Sequence, residues 1–590
     1  MPARAHRPIP IQVELGRPLE QLISSTFLED LRQAVDDRAD AMLTELHLPT
    51  AAVTVQRSRA RVILQVRVHG TVQPLPIPVL EPYMSRRAAS PSPTRREQTA
   101  DDGNTDAPGN DYGDLVASLS DLAWHGVARR PSCLLGPDHA ARLPFPAWLR
   151  GATMEPASPD DVMGYLLDLG VRAPEPERLA TQLAQAPDAS VDLAETLFEE
   201  YRADVVELHL SPEAFRAMSG DAGLSASRVR VSDAIVDTRV QEQVASFAGN
   251  LRNRQGLQLP PVELVLASDL PNPGCAVRIN EHLSLPMRLQ PGSGQPGAKE
   301  PFATPYRPPS VMRLPRGLDR PATAPQDDLF IGALATALEA MQQELERVAY
   351  RLLGMSDVEY LLARLEAQLP ALVHATLSQF SVTKLTRLLR ALVWERTGLR
   401  DLATILDGLL SFAWVATQPR TSGVVFDERI VLPAPLPAEA ANDLPYLLEG
   451  ARALLAPMRT ARWAKSRLLT FEDSLEHRLE QVQIRWATGE GPSTDARTLW
   501  EELEAAIRTV TRDAYDHALV TSAGARWITH ALLTDNFPDL AVVACHEVGP
   551  DMPGPARVIR SQRRRSSVRT ASPSGLGDRP SSPSKRRSPP

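Results

Sequence analysis

The stretch LTRLLRALVWERTGLRDLATILDGLL, Leu385–Leu410, decides how the chain is read. Its large apolar residues recur at i, i+3, i+4 and i+7: Leu385, Leu388, Leu389 and Leu392 first, then Leu402, Ile405, Leu406 and Leu409. That spacing gathers them into one stripe and predicts helices packed around a core. Gly398 and Arg400–Asp401 interrupt the pattern and mark the break between two helices. Asp401 is placed to cap or charge the N-terminus of the second helix, and Arg400 to reach a carboxylate on a neighbouring helix or subunit.

The chain changes character on both sides of this segment. Downstream, RLLTFEDSLEHRL reads as a strand running into a helix, and Trp500–Val510 as a helix. ALVTSAG (Ala518–Gly524) is a strand, Ala525–Leu533 a helix, and LAVVACHEV (Leu540–Val548) a near-continuous apolar run. Two apolar strands joined through a short helix predict a parallel βαβ crossover, buried on both faces. Upstream, Pro159–Arg202 reads as helical, with Asp160/Asp161 at its N-cap and first turn.

Two segments share an order of elements. Ile9–Leu15 alternates as a strand, Phe27–Leu46 has helical spacing, and Val53/Val55 and Val62–Val68 alternate as strands again. The order returns about 200 residues later: VVELHL (Val205–Leu210), matched to the VELG of the first segment, a helix through Val240, Val244 and Phe247, then LQLPPVELVL and CAVRINEHLSL. Equal order and loop position read as an internal duplication.

Ser85–Asn110 has almost no large apolar side chain, Gln290–Gln326 holds PGSGQPG, TPYRPPS and PATAPQ, and both read as linkers. The expected divisions are an N-terminal α/β unit (1–84, a diverged duplicate), a disordered linker (85–112), a mainly helical region (113–202), a second α/β unit (203–289) and a Pro/Gly-rich linker (290–326). A helical subdomain (327–416), a C-terminal α/β subdomain (417–548) and a disordered basic tail (549–590) complete the chain. The fold class is α+β and multi-subdomain: two similar small α/β units, a helical subdomain and a C-terminal βαβ-containing subdomain.

Composition agrees with a multi-domain globular chain of 590 residues, 43% hydrophobic and 23% charged, with 53 Pro that exceed the usual share. Lys is nearly absent among the 64 basic residues, the mark of a GC-rich, bacterial genome. The segment Arg557–Pro590 holds ten basic residues against Asp578, so its +9 leaves −17 for the rest of a chain whose net charge is −8. Such a charge offers a salt-dependent contact with an anionic membrane or nucleic acid, but the tail has no aromatic to stack on bases, so a solvated tail is the favoured reading. Three distant cysteines form no disulfide framework or zinc cluster and fit a reducing compartment. No window offers about 20 apolar residues, so no integral membrane segment is expected; even the most apolar helix, Leu402–Ala416, contains Asp407.

Signs of catalysis fail one by one. GSGQPGAKE (Gly292–Glu300) has the glycines of a phosphate loop, but no Ser or Thr follows Lys299 and Pro301 blocks the helix that would receive phosphate. Cys545-His546-Glu547 ends an apolar strand, where neighbours point to opposite faces, so Cys545 reads as a structural core cysteine. No His pair has metal-ligand spacing, and no nucleophile, base and oxyanion donor converge. No enzyme, cofactor or metal is expected.

Leu385–Leu410 resembles the stretch in which the flagellar/Hr/invasion protein export pore (FHIPEP) family carries a leucine-rich helix, Glu-Arg, Ile-Arg-Asp-Leu and a second helix. Glu395, Arg396, Arg400 and Asp401 match that pattern. LLTFEDSLE and the strand–helix–strand Ala518–Val548, with Arg526 and Glu547, resemble the closing part of the same family. ADVVELHL and LQLPPVELVL are similar to its earlier strands, and the N-terminal VELG segment to a second, diverged version. The resemblance covers the cytoplasmic half without the membrane half. It implies a cytoplasmic docking protein of a type III secretion or flagellar export apparatus, located in the cytoplasm or peripherally at the membrane. Implied partners are export-apparatus components, chaperones or export substrates, with assembly into a homo-oligomeric ring. A freestanding cytosolic scaffold that keeps the fold is the alternative, and a nucleic-acid-associated protein acting through the basic tail a third. The six matched residues are expected to serve structure or assembly, not catalysis.

Overall fold

The computed structural model describes residues 8–73, 109–288 and 337–559 apart from short stretches within each; residues 1–7, 74–108, 289–336 and 560–590 lie outside the described residues. The linker 290–326 and most of the tail thus fall outside them. Helices and several small mixed sheets give an α+β architecture.

In the first unit, β1 (Ile9–Leu15) is central because Ile9, Ile11, Val13 and Leu15 are all buried on alternate positions. The crossover helix Ser25–Glu45 starts where Ser24 Oγ accepts the Phe27 N–H at 3.0 Å. It buries Phe27, Leu31, Val35, Ala39 and Leu43, a strict i, i+4 row. β2 (Ala51–Arg57) then lies parallel to β1, with Ile11 opposite Val53. β3 (Leu64–Val68) is antiparallel on the other side, with Ile11 opposite Val68, and β4 (Thr71–Gln73) folds back on it. The order is β2-β1-β3-β4.

The second unit comprises β5 (Val206–Leu210), β6 (Arg228–Arg230), β7 (Val262–Leu266), β8 (Gly274–Ile279), β9 (His282–Leu283) and β10 (Met287–Arg288). Its order is β10-β8-β5-β7-β6, with β9 also on β8. β5 is parallel to β7 through the crossover helix Thr238–Gln255 and antiparallel to β8, with Val206 opposite both Val262 and Ile279. Topology and register therefore coincide between the units. Ile11, Val53 and Val68 occupy the places of Val206, Val262 and Ile279. Both hairpins turn at a left-handed residue, His69 (φ 49°) and Asn280 (φ 52°), and close with Val68 opposite Thr71 and Ile279 opposite His282. Even the exit from the parallel strand matches: the Ser58 N–H donates to Leu15 O at 2.7 Å, the Ala267 N–H to Leu210 O at 2.8 Å.

Several boundaries differ from the sequence reading. The literal VEL–VEL match is two residues out of register, because the sheet sets Glu14 opposite Gln65 but His209, its structural equivalent, opposite Ala276. CAVRINEHLSL is a hairpin, not one strand, because Asn280 supplies the left-handed turn. The helix Gly109–Ala128 begins inside the predicted 85–112 linker. At the next helix, Pro159–Asp168, the N-cap is Ser158, whose side chain accepts the Asp161 N–H, and Asp160 and Asp161 fill the first turn.

Helices Met355–Glu366, Pro370–Gln379, Val382–Trp394 and Leu402–Ala416 form the helical subdomain. After a short hairpin of β11 (Val425–Phe426) and β12 (Ile430–Val431), the helix Leu444–Trp463 packs closely on Leu402–Ala416. Small residues allow that approach: a Cβ on Gly408 would lie 2.8 Å from the Ala451 Cα, and one on Gly450 would collide with the Phe412 side chain.

The last sheet has β13 (Arg467–Phe471), β14 (His517–Thr521), β15 (Ala541–Ala544) and β16 (Arg557–Ile559) in the order β15-β14-β13-β16, all parallel. Helix Ala523–Leu533 makes the β14–β15 crossover, the predicted βαβ. β16 overturns the boundary at Val548: Ile559 is buried and pairs with Phe471, so folded structure extends into the predicted basic tail. Cys545-His546-Glu547 is a 3₁₀ turn, not strand, because Glu547 folds back to accept the Ala544 N–H at 2.9 Å. Cys545 is consequently exposed, not a core residue, and its thiol donates to Thr521 O.

Candidate functional site

The matched residues Glu395, Arg526 and Glu547 lie in separate elements and meet in one buried cluster. The Val382–Trp394 helix ends at Glu395, and the turn behind it has Schellman geometry: the Thr397 N–H donates to Leu392 O and the Arg396 N–H to Val393 O. Arg396 takes the left-handed position (φ 57°) usually given to glycine, and Gly398 (φ 78°) completes the reversal. Glu395, 7% exposed, turns inward and accepts from Arg526 Nη2 at 2.8 Å and from Arg452 Nη1 at 2.9 Å.

Arg452 is the second hub. It also donates to Thr397 Oγ1 at 2.8 Å, and its Nη2 meets both Glu547 oxygens at 2.8 Å. Arg526 Nε donates to Glu449, one helical turn before Arg452 on the Leu444–Trp463 helix. Three carboxylates and two guanidiniums, all nearly or wholly buried, thus join three helices and a turn from both sides of the helical–C-terminal junction. Burial alone would raise the Glu395 carboxyl, but Arg526 and Arg452 outweigh it and hold it below the ordinary range. Glu449 goes the other way. Burial pushes it up to about 7, helped by Glu395 and Glu547 and opposed by Arg526 and Arg452, and its second oxygen has no hydrogen-bond partner. A proton on Glu449 makes the cluster neutral, since two guanidiniums then face two carboxylates. His530, edge-on to the Trp394 ring at 4.5 Å, is driven down to about 3 by burial and stays a neutral imidazole.

A second buried cluster ties the mainly helical region to the same helix. Arg390 Nη1 and Nη2 meet Glu195 at 2.6 and 2.8 Å, Arg390 also donates to Leu353 O, and the Phe198 ring lies 4.8 Å below the guanidinium. The Tyr165 hydroxyl bonds Glu195, and burial pushes its ionisation well above the ordinary phenol value. Trp148 stacks on Tyr350 at 5.2 Å and meets Trp394 edge-on at 6.1 Å, so an aromatic column runs through Trp394 to His530.

Arg400 and Asp401 stand apart from both. Both are exposed, and among the described residues Arg400 has no ion pair within the chain, so the carboxylate expected on a neighbouring helix is absent. The Asp401 carbonyl, not its side chain, receives the Ile405 N–H and opens the next helix. The junction is held by backbone packing: Gly256 (φ 73°) sits so near that a Cβ there would lie 2.7 Å from the Leu399 carbonyl carbon. Sequence reasoning missed Arg390, Glu449 and Arg452. Each is a charge inside an otherwise apolar helical run (LLRALV, YLLEGARALL), the available signal for a buried pair.

Among the described residues no group of His, Cys, Asp and Glu has the arrangement of a metal site, and no helix is long and apolar enough to cross a membrane. A family model described as the FHIPEP family matches residues 222–553, a span that contains every residue of the Glu395–Glu547 cluster. Among solved structures, the Shigella flexneri MxiA protein is 12% identical over 60% of this chain and 98% of that one, with a TM-score of 0.39. The Chlamydia pneumoniae CdsV protein is 17% identical over 60% and 97%, with a TM-score of 0.41, and has also been solved in complex with CdsO. The nonameric SctV-C of EPEC is 15% identical over 60% and 97%, with a TM-score of 0.39. No curated protein matches the chain.

Proposed function

The chain belongs to the FHIPEP family, and from that premise we propose that it is a docking protein of a type III secretion or flagellar export apparatus. It receives partner proteins on its surface and does no covalent chemistry. The family match over residues 222–553 carries this reading. The charged junction supports it physically: the guanidiniums of Arg452 and Arg526 are consumed by internal carboxylates, an arrangement that holds subdomains in fixed relation and offers no reactive group to a substrate. We place the protein in the cytoplasm or peripherally at the membrane, assembled as a homo-oligomeric ring like the nonameric relative. Exposed Arg400 is then available to a neighbouring subunit.

Deletion of the gene in its native host, with complementation, tests this. Loss of exported proteins from the culture supernatant, restored by the wild-type chain, is the expected result. An unchanged supernatant would overturn the export role and leave a freestanding scaffold.

A further inference from the structure

The two α/β units differ at one sheet edge. In the second unit β6 covers the outer edge of β7 in antiparallel pairing, with Val229 opposite Leu264. The Leu266 N–H donates to Ser227 O at 2.8 Å and the Val231 N–H to Val262 O at 3.0 Å. β6 comes from the connection between β5 and the crossover helix, and the corresponding connection of the first unit, between β1 and Ser25, supplies no strand among the described residues. β2, the equivalent of β7, is therefore terminal in the sheet that the described residues form.

Register states which groups are left open. Val53, Val55 and Arg57 stand in the places of Val262, Leu264 and Leu266, the residues of β7 whose backbone faces β6. Their N–H and C=O groups point away from β1, while the alternate residues face it, as the Ser58 N–H to Leu15 O bond shows. The strand runs seven residues in unbroken register with β1 and carries no Pro, Lys or acidic residue, the usual protections of a free edge.

We propose that β2 pairs antiparallel with β2 of a second copy of this chain, across a two-fold axis at Thr54. This register pairs all seven residues. Val53 meets Val55 on the core face, as Val229 meets Leu264 in the covered unit, and these pairs exchange the open backbone bonds. Thr54 meets Thr54 and Ala52 meets Gln56 on the exposed face, and Arg57 meets Ala51, so no like charges oppose. A basic strand such as β6 or the chain's own Arg-rich tail does not fit. Arg228 and Arg230 are held by Glu207 and Glu263 at 2.8–3.1 Å, and the equivalents of those two glutamates in the first unit are the uncharged Gln12 and Thr54. The contact is isologous and closes at two copies, so it doubles whatever assembly the rest of the chain makes.

Sedimentation of the full chain at equal concentrations tests the pairing. Thr54 is exposed, so Thr54→Lys and Thr54→Glu leave the edge folded but set like charges on the axis. Each variant is expected at half the wild-type mass, and an equimolar mixture of the two is expected to regain the full mass as Lys opposes Glu. In a Cys545→Ser background, Thr54→Cys is expected to form a disulfide dimer under mild oxidation, since a non-hydrogen-bonded pair sets the Cα atoms about 4.5 Å apart, and Gln56→Cys is not. Equal masses for wild type and Thr54→Lys, or a mixture that stays at the lower mass, would overturn the proposal.

Discussion

Replacing Arg452 by Met keeps most of the side-chain stem and removes the guanidinium that joins Glu395, Thr397 and Glu547. Glu395 retains Arg526 at 2.8 Å, but Glu547, wholly buried, loses both bonds to the Arg452 guanidinium, while the Ala544 N–H and the longer-range attraction of Arg526 remain. Breaking a buried pair in this way costs about 3–5 kcal/mol. An independent route gives the same size. Relief of the weakened charge by uptake of a proton at pH 7.5, from an ordinary carboxyl value of about 4.3, costs about 4 kcal/mol at 1.36 kcal/mol per unit, the upper bound of the loss. At pH 5.5 the same step costs about 1.6 kcal/mol. What the substitution weakens is an interaction of the charged carboxylate, so the loss grows as pH rises and shrinks as protonation relieves it. Urea unfolding of the full chain at both pH values, followed through Trp394 and Trp527 beside the cluster, measures it. The expected destabilisation is about 4 kcal/mol at pH 7.5 and less than half that at pH 5.5. Arg452→Met with Glu547→Gln should recover most of the loss and abolish its pH dependence. A single-variant loss below about 1 kcal/mol, or one equal at both pH values, refutes the reasoning, because a neutral hydrogen bond would account for it.

Three further outcomes are expected. Glu449, pushed up to about 7 by burial, contributes stability that is complete below about 4.5 and lost as pH rises through 7; Glu449→Gln should therefore gain on wild type by up to about 3 kcal/mol between pH 5 and 8, read from denaturation midpoints. Arg390→Met orphans Glu195 and should cost about 3–5 kcal/mol, whereas Tyr165→Phe should cost only about 1 kcal/mol, checked by the same unfolding curves. A chain ending at Val548 loses the β16 pairing and should be less soluble and more readily proteolysed than one ending at residue 562, in a limited-proteolysis comparison.

Periodicity carried the sequence reading wherever one face of an element is buried. The Leu385–Leu410 helices, the βαβ crossover and the duplicated order of elements were all legible because apolar spacing of 2 or 3.6 leaves little choice of face. It misplaced features set by single backbone bonds. Asn280 turns a run of strand-forming residues into a hairpin, and Glu547 closes a turn on Ala544 that ejects Cys545 from the core. β16 escaped because three residues in an Arg-rich, Pro-rich setting carry no period, and only pairing with β13 defines them as a strand. The buried cluster was half visible. Glu395, Arg526 and Glu547 stood in the family pattern, but Glu449 and Arg452 join them only because Gly408, Gly450 and Ala451 let their helix approach Leu402–Ala416 closely.

The placement of charge within the molecule follows a division of labour. Each α/β unit is closed by an apolar sheet and an i, i+4 helix face, and its internal register is already fixed by that alternation. Where the helix Leu444–Trp463 meets Leu402–Ala416, Gly408 and Gly450 let the two backbones approach closely. The cluster of three carboxylates and two guanidiniums adds a further constraint on that arrangement, because sliding either helix by one turn moves a partner by about 5.4 Å and separates buried charges from their partners. The net stability gained from such a cluster is small, since desolvation offsets most of the attraction. What it contributes is one arrangement of subdomains. The Arg452→Met and Glu547→Gln pair separates these two effects: recovered stability with altered partner binding is the signature of a cluster that sets geometry.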